Sequence, residues 1–292
     1  MSIPTRKSRK IWRVIDLLKW GEQYFSDNSF ENPRREIEYL IQNLLGCKRV
    51  DLYIRFDEPL TKSQLNTLRD WVTRRKNKEP AQYLAGKAGF YNIELNINSD
   101  VLIPRPESEV LIESVLNNFS KKDELNILDI GTGSGCLALA LAKEMPESNI
   151  LGVDISENII QLAKSNAKKL NIKNTKFSIL NILNDNVNGQ FDLVVSNPPY
   201  IPKSEMSYLM DDVKNFEPHS ALTDNNDGLT FYRRFAEIFN TILKPKGWFF
   251  VEIGLGEHSK NVIEILKNNN FINIELIKDY NGDNRVLKGQ LV

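Results

Sequence analysis

Apolar and polar residues alternate differently in the two parts of the chain. Over residues 1–80 the apolar positions recur every three or four residues, which is the spacing of helices with one buried face. From residue 106 onward, short apolar runs of strand length are separated by stretches with helical spacing. That alternation is typical of a parallel sheet covered by helices. The sequence therefore predicts an α/β domain with a doubly wound sheet, preceded by a small all-helical domain.

Local signals mark the helices of the first part. Asn32-Pro33 has the form of a helix start with proline at the first helical position, and Gly46 has the form of a helix stop. Thr61 and Gln64 match a capping box. We expect the helix that they open to end at Glu79-Pro80, because the residue before a proline is biased away from the helical conformation.

Residues 81–105 are predicted to connect the two domains as a β-hairpin. Gly86 and Gly89 interrupt the helical pattern, and apolar residues then alternate with polar ones over residues 91–97, as in a half-buried strand. We expect Val101–Ile103 to pair back onto this strand.

The second part, residues 106–292, contains the strands of the predicted sheet. Near its end, Ile272–Ile277 and Arg285–Val292 flank a turn at Asn281-Gly282, which predicts an antiparallel hairpin. The expected sheet is therefore Rossmann-like, with one antiparallel strand in an otherwise parallel order. The strands expected before the hairpin are Ile127–Ile130, Ile150–Val153, Phe177–Leu180, Leu193–Val195 and Phe249–Ile253.

Composition restricts the classes of function. The hydrophobic fraction is 41%, ordinary for a packed soluble protein, and no apolar run reaches the ~18 residues of a membrane-spanning helix. Cys47, Cys136, His219 and His258 are the only cysteines and histidines, and their spacing matches neither a disulfide framework nor a metal motif. We therefore expect no metal and a reducing compartment, the cytoplasm.

Charge is unevenly distributed although the net charge is zero. Residues 1–90 hold 18 Lys/Arg and 11 Asp/Glu, and the first fifteen residues contain five basic side chains and no acidic one. The beginning of the chain has either the composition of a transit peptide or that of a basic first helix, and the helical spacing of Ile11, Val14, Ile15 and Leu18 favours the helix. The excess charge fits a solvated surface or a face toward an acidic partner.

A glycine-rich loop follows the first predicted strand of the sheet. Its sequence is Gly131-Thr132-Gly133-Ser134-Gly135, and it precedes a helical stretch, so unpaired N–H groups and missing Cβ atoms favour close approach of a ligand. The pattern G-x-G-x-G differs from a dinucleotide fingerprint. Asp154, after the second strand, can accept hydrogen bonds from both hydroxyls of a ribose, or it can cap the next helix. Asp129 lies where an acid can meet the cationic end of a methionine moiety, so the loop predicts an adenosyl ligand.

A second motif, Asn197-Pro198-Pro199-Tyr200, ends the fourth predicted strand. Two prolines remove two N–H donors, so the turn is rich in acceptors: the Asn197 side-chain oxygen and the carbonyl of Pro198. Two acceptors that receive hydrogen bonds from the two N–H groups of a planar amide would hold its nitrogen in place and stabilise positive charge during methyl transfer. Tyr200 supplies a flat surface for a planar group. We expect these four residues to be catalytic, and we expect Asn197 to contact the cofactor as well.

Taken in order, the two motifs and several shorter segments resemble the family of glutamine methyltransferases that modify peptide chain release factors. The resemblance extends over nearly the whole chain, and the order and spacing of the segments make it specific. The matching segments are Gln82-Tyr83-Leu84-Ala85-Gly86, Ile103-Pro104-Arg105-Pro106-Glu107-Ser108-Glu109, Asp129 to Gly135, Asp154, Asn197-Pro198-Pro199-Tyr200-Ile201, Glu217-Pro218, Asp227-Gly228-Leu229, Tyr232-Arg233, Glu252-Ile253-Gly254 and Arg285-Val286-Leu287-Lys288-Gly289.

The resemblance implies a class I methyltransferase domain over residues 106–292, with S-adenosylmethionine as methyl donor. It also implies that the helical domain, residues 1–80, helps to dock the protein substrate. That substrate would be the glutamine in the Gly-Gly-Gln motif of peptide chain release factors. Neither a membrane partner nor a nucleic-acid substrate is expected.

The same resemblance implies roles for individual residues. The three glycines of the loop would cradle the cofactor and Asp154 would hold its ribose. Asn197 and the Pro198 carbonyl would bind the glutamine amide. Two adjacent positions depart from the family pattern: an acid and an aromatic residue usually stand near the adenine, where this chain has Asn181 and Ile182. Asn181 can still accept from the adenine amino group and Ile182 can pack on the ring, so the departure concerns cofactor affinity.

Three alternatives stay open on the sequence alone. A related enzyme methylates a glutamine of a large-subunit ribosomal protein, although the form Pro104-Arg105-Pro106-Glu107 favours the release-factor branch. A nucleic-acid amino methyltransferase would use the same turn, because the exocyclic amine of a base is planar like an amide. The second part of the chain is acidic, which does not favour a nucleic-acid substrate. A non-catalytic adenosyl-binding module would be indicated by loss of Asn197, which is present.

Overall fold

The computed structural model describes residues 11–267 and 269–292. The chain forms two compact units, Met1–Ala85 and Gly86–Val292. The basic residues from Arg6 to Lys10, which raised the question of a targeting segment, lie outside the described residues.

The first unit is helical, as predicted. Gly46 ends the second helix in a left-handed conformation with φ 61°, and the capping box of Thr61 is present, with its backbone N–H donating to Gln64 Oε1 at 2.8 Å. Its apolar side chains form one core that includes Leu18, Phe25 and Ile37. The helices are α1 (Val14–Asp27), α2 (Pro33–Leu45), α3 (Arg49–Ile54), α4 (Lys62–Lys76) and α5 (Ala81–Ala85).

Two helix boundaries differ from the sequence prediction. Ile11 precedes α1 and is 67% exposed, because the helix begins only at Val14. α4 ends at Lys76 rather than at Glu79, since Lys78 takes a left-handed conformation with φ 69° before the proline. Apolar spacing and proline position therefore locate these helices without fixing the residues at which they begin and end.

The second unit opens with a hairpin made from residues other than those expected. Strand β1 (Lys87–Phe90) pairs antiparallel with β2 (Ile93–Asn96), so that Phe90 stands opposite Ile93. Val101 and Ile103 are buried but belong to no strand. The expected pairing of Val101–Ile103 was wrong because alternation identifies a strand but not its partner.

The large sheet contains the predicted strands, with boundaries shifted by a few residues. Two short 3-10 helices, Pro106–Ser108 and Lys203–Tyr208, also occur in this unit. The strands are β3 (Asn126–Ile130), β4 (Asn149–Asp154), β5 (Thr175–Ile179), β6 (Phe191–Ser196), β7 (Leu243–Glu252), β8 (Phe271–Lys278) and β9 (Asn284–Leu291). The helices are α6 (Glu109–Asn118), α7 (Cys136–Glu144), α8 (Glu157–Lys169), α9 (Asp211–Phe216), α10 (His219–Leu222), α11 (Thr230–Ile242) and α12 (Glu257–Lys267).

The strand order of this sheet is β5-β4-β3-β6-β7-β9-β8. Strands β3 to β7 are parallel, and β9 is antiparallel to both of its neighbours. The chain moves outward from β3 to β5 and then returns to β6 on the other side of β3. Right-handed crossovers place helices on opposite faces when the direction reverses. The Rossmann-like, doubly wound sheet with one antiparallel strand is thus confirmed.

None of the helices in residues 11–267 and 269–292 combines the length and the apolar character needed to cross a lipid bilayer.

We predict that Gly21→Ala destabilises the first unit although alanine is the better helix former. A Cβ at Gly21 would lie 2.2 Å from Ile37 Cγ1 and 2.8 Å from Ile37 Cβ, so α1 would have to move away from α2. Overpacking of this kind costs about 1–3 kcal/mol, more than the gain of about 1 kcal/mol in helix propensity. The urea midpoint of the full chain should fall.

The control for this experiment is Lys19→Ala, which changes an exposed position of the same helix. Its midpoint should stay within error of the wild type. A Gly21→Ala protein as stable as the wild type would show that α1 and α2 do not approach this closely.

Candidate active site

A cavity of about 560 Å³ opens at the carboxyl ends of the central strands. Because β3 and β6 pair in parallel, with Ile130 beside Ser196, the segments that follow them begin side by side. This point, where the strand order reverses, is where doubly wound sheets bind their ligands. Four residues of the glycine loop, Gly131 to Ser134, line the cavity together with Asp154, Asn181, Ile182 and the segment Asn197–Pro199, whereas Gly135 does not. The structure therefore brings the two motifs of the sequence into one space.

The glycine loop leaves room for a ligand at two of its three glycines. Gly131 and Gly133 have φ of 72° and 54°, and a Cβ built on Gly131 would meet no atom within 4 Å. On Gly133 the nearest atom would be the Gly131 carbonyl oxygen at 4.0 Å. Gly135, with φ 85°, serves packing instead, because its Cβ would lie 3.0 Å from Leu139 Cδ1. The open side of Gly131 and Gly133 fits a ligand that approaches the backbone closely.

Asp129 lies beneath the loop and is not among the residues that line the cavity. Its Oδ2 accepts from the Thr132 hydroxyl at 2.7 Å and from the Ala138 N–H at 3.2 Å. Complete burial raises the pKa of this carboxyl to about 7, although these two hydrogen bonds act against the shift. Its Oδ1 and the Ser134 hydroxyl oxygen have no hydrogen-bond partner within the described part of the chain. In this arrangement Asp129 shapes the loop from below.

Asp154, in contrast, joins the loop to the cavity. Its Oδ2 accepts from the Gly133 N–H at 3.0 Å, and its Oδ1 accepts from the Ile155 N–H at 2.8 Å. The N-cap position of α8 is Ser156, so Asp154 is not the cap of that helix. Burial raises the pKa of Asp154, and the backbone N–H donors lower it in part. A carboxylate offers about four lone-pair sites, so Asp154 keeps acceptor capacity for a ligand beside these backbone donors.

Asn181 and Ile182 form the wall of the cavity beyond β5. Asn181 Oδ1 accepts from the Leu183 N–H at 3.1 Å, so part of its acceptor capacity is used within its own loop. Ile182 is buried, and its carbonyl accepts from Arg234 Nε at 2.9 Å. Ile182 thus contributes an apolar surface to this wall, and Asn181 contributes a polar group.

Tyr200 faces a second, smaller pocket of about 370 Å³ and does not line the large cavity. Asn197 and Pro198 line both spaces. Asn197 Nδ2 donates to Ser108 Oγ at 3.0 Å, and the Tyr200 hydroxyl donates to Glu252 Oε1 at 3.1 Å. The turn after β6 is thus the boundary between a large cavity and a pocket with an aromatic wall.

An ion pair holds the segment Ile103–Glu107 beside both spaces. Arg105 Nη2 contacts Glu217 Oε1 at 2.5 Å, and the Ile103 N–H donates to Glu217 Oε2 at 3.2 Å. The Glu217 side chain is 1% exposed. Because Pro104 and Arg105 line the cavity, this pair fixes one of its walls.

Three residues of the site had no role assigned from the sequence, namely Ser108, Glu217 and Glu252. The signal for Glu252 was available: it is an acid placed directly after the apolar run Phe249–Val251, at the carboxyl end of a buried strand. No local pattern joins it to Ser108, which is 144 positions earlier in the chain.

No group of three or more His, Cys, Asp and Glu side chains in residues 11–267 and 269–292 is arranged to hold a metal ion.

Two parts of the chain match known family models. Residues 16–86 match the family model described as the PrmC N-terminal domain, and residues 121–285 match a methyltransferase domain. A crystal structure of a methyltransferase from Pyrococcus furiosus has the same fold in its sheet domain, with a TM-score of 0.52 and 17% identity over 76% of this chain and 96% of that chain.

Several curated relatives match nearly end to end. The release factor glutamine methyltransferase of Geobacter sulfurreducens is 38% identical over 284 residues, which cover 97% of this chain and 98% of the relative. That of Bacillus subtilis is 36% identical over 280 residues, covering 94% and 96%. The methyltransferase domain takes its methyl group from S-adenosylmethionine, and the chain belongs to the release factor glutamine methyltransferase family.

Proposed function

We propose that this enzyme transfers a methyl group from S-adenosylmethionine to the side-chain amide nitrogen of the glutamine in the Gly-Gly-Gln motif of peptide chain release factors. The observation that carries the proposal is that Asn197 and Pro198 line both the large cavity and the smaller pocket. A donor in the first space and a carboxamide in the second would meet at this turn. Since release factors act at the ribosome, we expect the enzyme to work in the cytoplasm.

The large cavity fits the methyl donor. Its volume of about 560 Å³ lies in the usual range for cofactor sites, roughly 300–1,000 Å³. Gly131 and Gly133 would lie against the cofactor, with Thr132, Ser134 and Gly135 completing the loop, and Asp154 would accept from its ribose. Asn181 and Ile182 would border the adenine, and Asn197 would border the methyl end. The cofactor supplies a methyl group bound to a cationic sulfur.

The acceptor turn fits a carboxamide. An amide nitrogen is a poor nucleophile because its lone pair is delocalised, so the chain must orient it and stabilise the charge that develops. Asn197 Oδ1 and the Pro198 carbonyl would accept hydrogen bonds from the two N–H groups of the amide. These bonds would direct the nitrogen toward the large cavity and stabilise the positive charge that develops on it. Pro199 has no N–H to compete for these acceptors. Tyr200 would pack against the planar group.

The same turn would select glutamine over glutamate. A glutamate carboxylate has no N–H to donate, so both acceptors would face another acceptor in a desolvated pocket. Unpaired buried acceptors cost about 1–3 kcal/mol each, and sites built on such pairs reject the analogue without the donor.

We further propose that the helical domain, residues 1–80, helps to dock the release factor. The hairpin region, residues 81–105, would connect it to the methyltransferase domain, residues 106–292. The basic balance of residues 1–90 favours an acidic surface on the protein substrate.

The substrate is tested by incubating the purified protein with cofactor labelled in the methyl group. Four acceptors are compared: a release factor, its Gly-Gly-Gln→Gly-Gly-Ala variant, the total ribosomal proteins and a single-stranded oligonucleotide. Label only on the intact release factor supports the proposal. Label on a ribosomal protein or on the oligonucleotide alone would replace it with one of the alternative substrates.

We predict that Asp154→Ala weakens cofactor binding by about 10-fold or more. It removes the proposed ribose acceptor, and hydrogen bonds to a charged group contribute about 1.5–3 kcal/mol. The dissociation constant is measured by titration calorimetry with S-adenosylhomocysteine. The matched control is Glu157→Ala, which removes an exposed carboxylate three positions later that does not line the cavity. Equal affinity in the Asp154→Ala and Glu157→Ala proteins would contradict ribose contact.

We predict that Asn197→Ala lowers kcat by about 10²–10³-fold, the usual effect of removing one hydrogen-bond partner of a developing charge. Cofactor affinity should change little, because the glycine loop and Asp154 are untouched. The two quantities are measured by methyl transfer to the release factor and by calorimetry. If both fall by the same factor, Asn197 acts on the cofactor or on folding and not on the amide.

A further inference from the structure

A continuous series of buried hydrogen bonds lies behind Asn197. Asn197 Nδ2 donates to Ser108 Oγ at 3.0 Å, and the Ser108 hydroxyl donates to Glu252 Oε2 at 2.5 Å. The other oxygen of Glu252 accepts from the Tyr200 hydroxyl at 3.1 Å. Ser108 and Glu252 are only 2% and 1% exposed. The series therefore joins the first and last residues of the acceptor turn through two side chains outside it.

The direction of each hydrogen bond in this series is determined by its neighbour. Both oxygens of Glu252 accept, one from Ser108 and the other from Tyr200, and the ionised carboxylate is the form that offers both oxygens fully as acceptors. A hydroxyl has one proton to donate, and Ser108 gives it to Glu252, so its oxygen can only accept from Asn197. The side chain of Asn197 must therefore turn its NH₂ toward Ser108 and its Oδ1 the other way. With the amide reversed, two oxygens would face each other without a proton between them.

Burial raises the pKa of Glu252, whereas the Ser108 hydroxyl, the charge of Arg285 and the Tyr200 hydroxyl lower it in part. Arg285 is itself held by Asp279, at 3.1 Å. These three partners favour the ionised form and oppose the desolvation, which still leaves the pKa of Glu252 above its usual value.

We propose that Ser108 and Glu252 are positioning residues, which fix the amide of Asn197 with its oxygen toward the substrate. This inference rests on the proposed role of Asn197 in binding the glutamine amide. An asparagine side chain has nearly the same shape in its two orientations, and only one of them presents an acceptor to an N–H bond. The Ser108–Glu252 pair makes that orientation the favourable one before substrate arrives.

The inference gives a physical reason for two segments that the sequence resemblance included without a role. Ser108 stands directly before α6, and Glu252 ends β7, which pairs in parallel with β6. The carboxyl ends of β6 and β7 are neighbours, as Ser196 and Val251 are partners in the sheet. The sheet thereby sets Glu252 beside the acceptor turn, and the segment before α6 supplies the hydroxyl between them.

The test compares Ser108→Ala with the wild type in methyl transfer to a release factor. Without the hydroxyl, Asn197 is free to rotate, and kcat should fall by about 10- to 100-fold, the effect of a small misplacement of a binding group. Ser108 borders the large cavity, but the residues proposed to hold the cofactor are unchanged, so the dissociation constant of S-adenosylhomocysteine should stay within about twofold. The matched control is Ser114→Ala, which changes a buried serine on α6 whose hydroxyl donates to the Val110 carbonyl at 2.6 Å. It should keep the wild-type kcat.

Glu252→Gln keeps the shape of the side chain and removes its charge, so it should also lower kcat with little effect on cofactor affinity. Because both substitutions disrupt the hydrogen bond between Ser108 and Glu252, the double variant should lose no more activity than the more damaging single variant. Losses that multiply would mean that the two residues act separately.

The side-chain amide of Asn197 provides a readout that does not depend on turnover. In ¹⁵N-labelled protein its two N–H signals are identified by their disappearance in Asn197→Ala. They should be separate and protected from exchange in the wild type and in Ser114→Ala, and should exchange rapidly in Ser108→Ala. Unchanged signals and unchanged kcat in Ser108→Ala would overturn the inference. Absence of methyl transfer by the wild type would instead count against the proposed function.

Discussion

The parallel pairing of β3 with β6 is the constraint on which the active site depends. Ile130 and Ser196 are partners at the carboxyl ends of these strands, and neighbouring strands lie about 4.8 Å apart. The glycine loop and the Asn-Pro-Pro-Tyr turn each follow their strand without an intervening residue. They must therefore open into one space, although more than 60 residues of chain separate them. Each motif takes its shape from a few neighbouring residues, and the register of the sheet brings the two motifs together.

The sequence predicts those features of the site that depend on the backbone conformation of a few neighbouring residues. The glycines of the loop permit the positive φ angles that this turn requires, and the prolines after β6 cannot continue a strand, so the positions of both motifs at strand ends were predictable. The partner of β2 was not, because Val101–Ile103 and Lys87–Phe90 are both short apolar segments near one turn, and tertiary packing decides between them. Ser108 and Glu252 are a similar case: each has an ordinary local context, and only the folded sheet brings them together.

Asp129 and Asp154 show how burial separates two acids that the sequence treats alike. They stand at the ends of adjacent strands, at positions where a carboxylate can serve an adenosyl ligand. Asp129 lies under the glycine loop, where desolvation raises its pKa to about 7 and its donors are Thr132 and Ala138. Asp154 reaches the cavity and holds the Gly133 N–H. One acid thus supports the shape of the loop, and the other is available to a ligand.

The buried charge of Glu252 is better explained by chemistry than by stability. Removing a carboxylate from water is costly, and apolar side chains of similar volume often serve a core as well or better. Hydrogen bonds from Ser108 and Tyr200 satisfy its oxygens, but they offset the cost of burial and leave little surplus for the fold. An apolar residue at this position could fill the space, yet it could not accept the hydrogen bond that orients the Ser108 hydroxyl. Because packing cannot distinguish the two ends of the Asn197 amide, an ordered series of donors and acceptors is the means by which the fold can hold its oxygen toward the substrate.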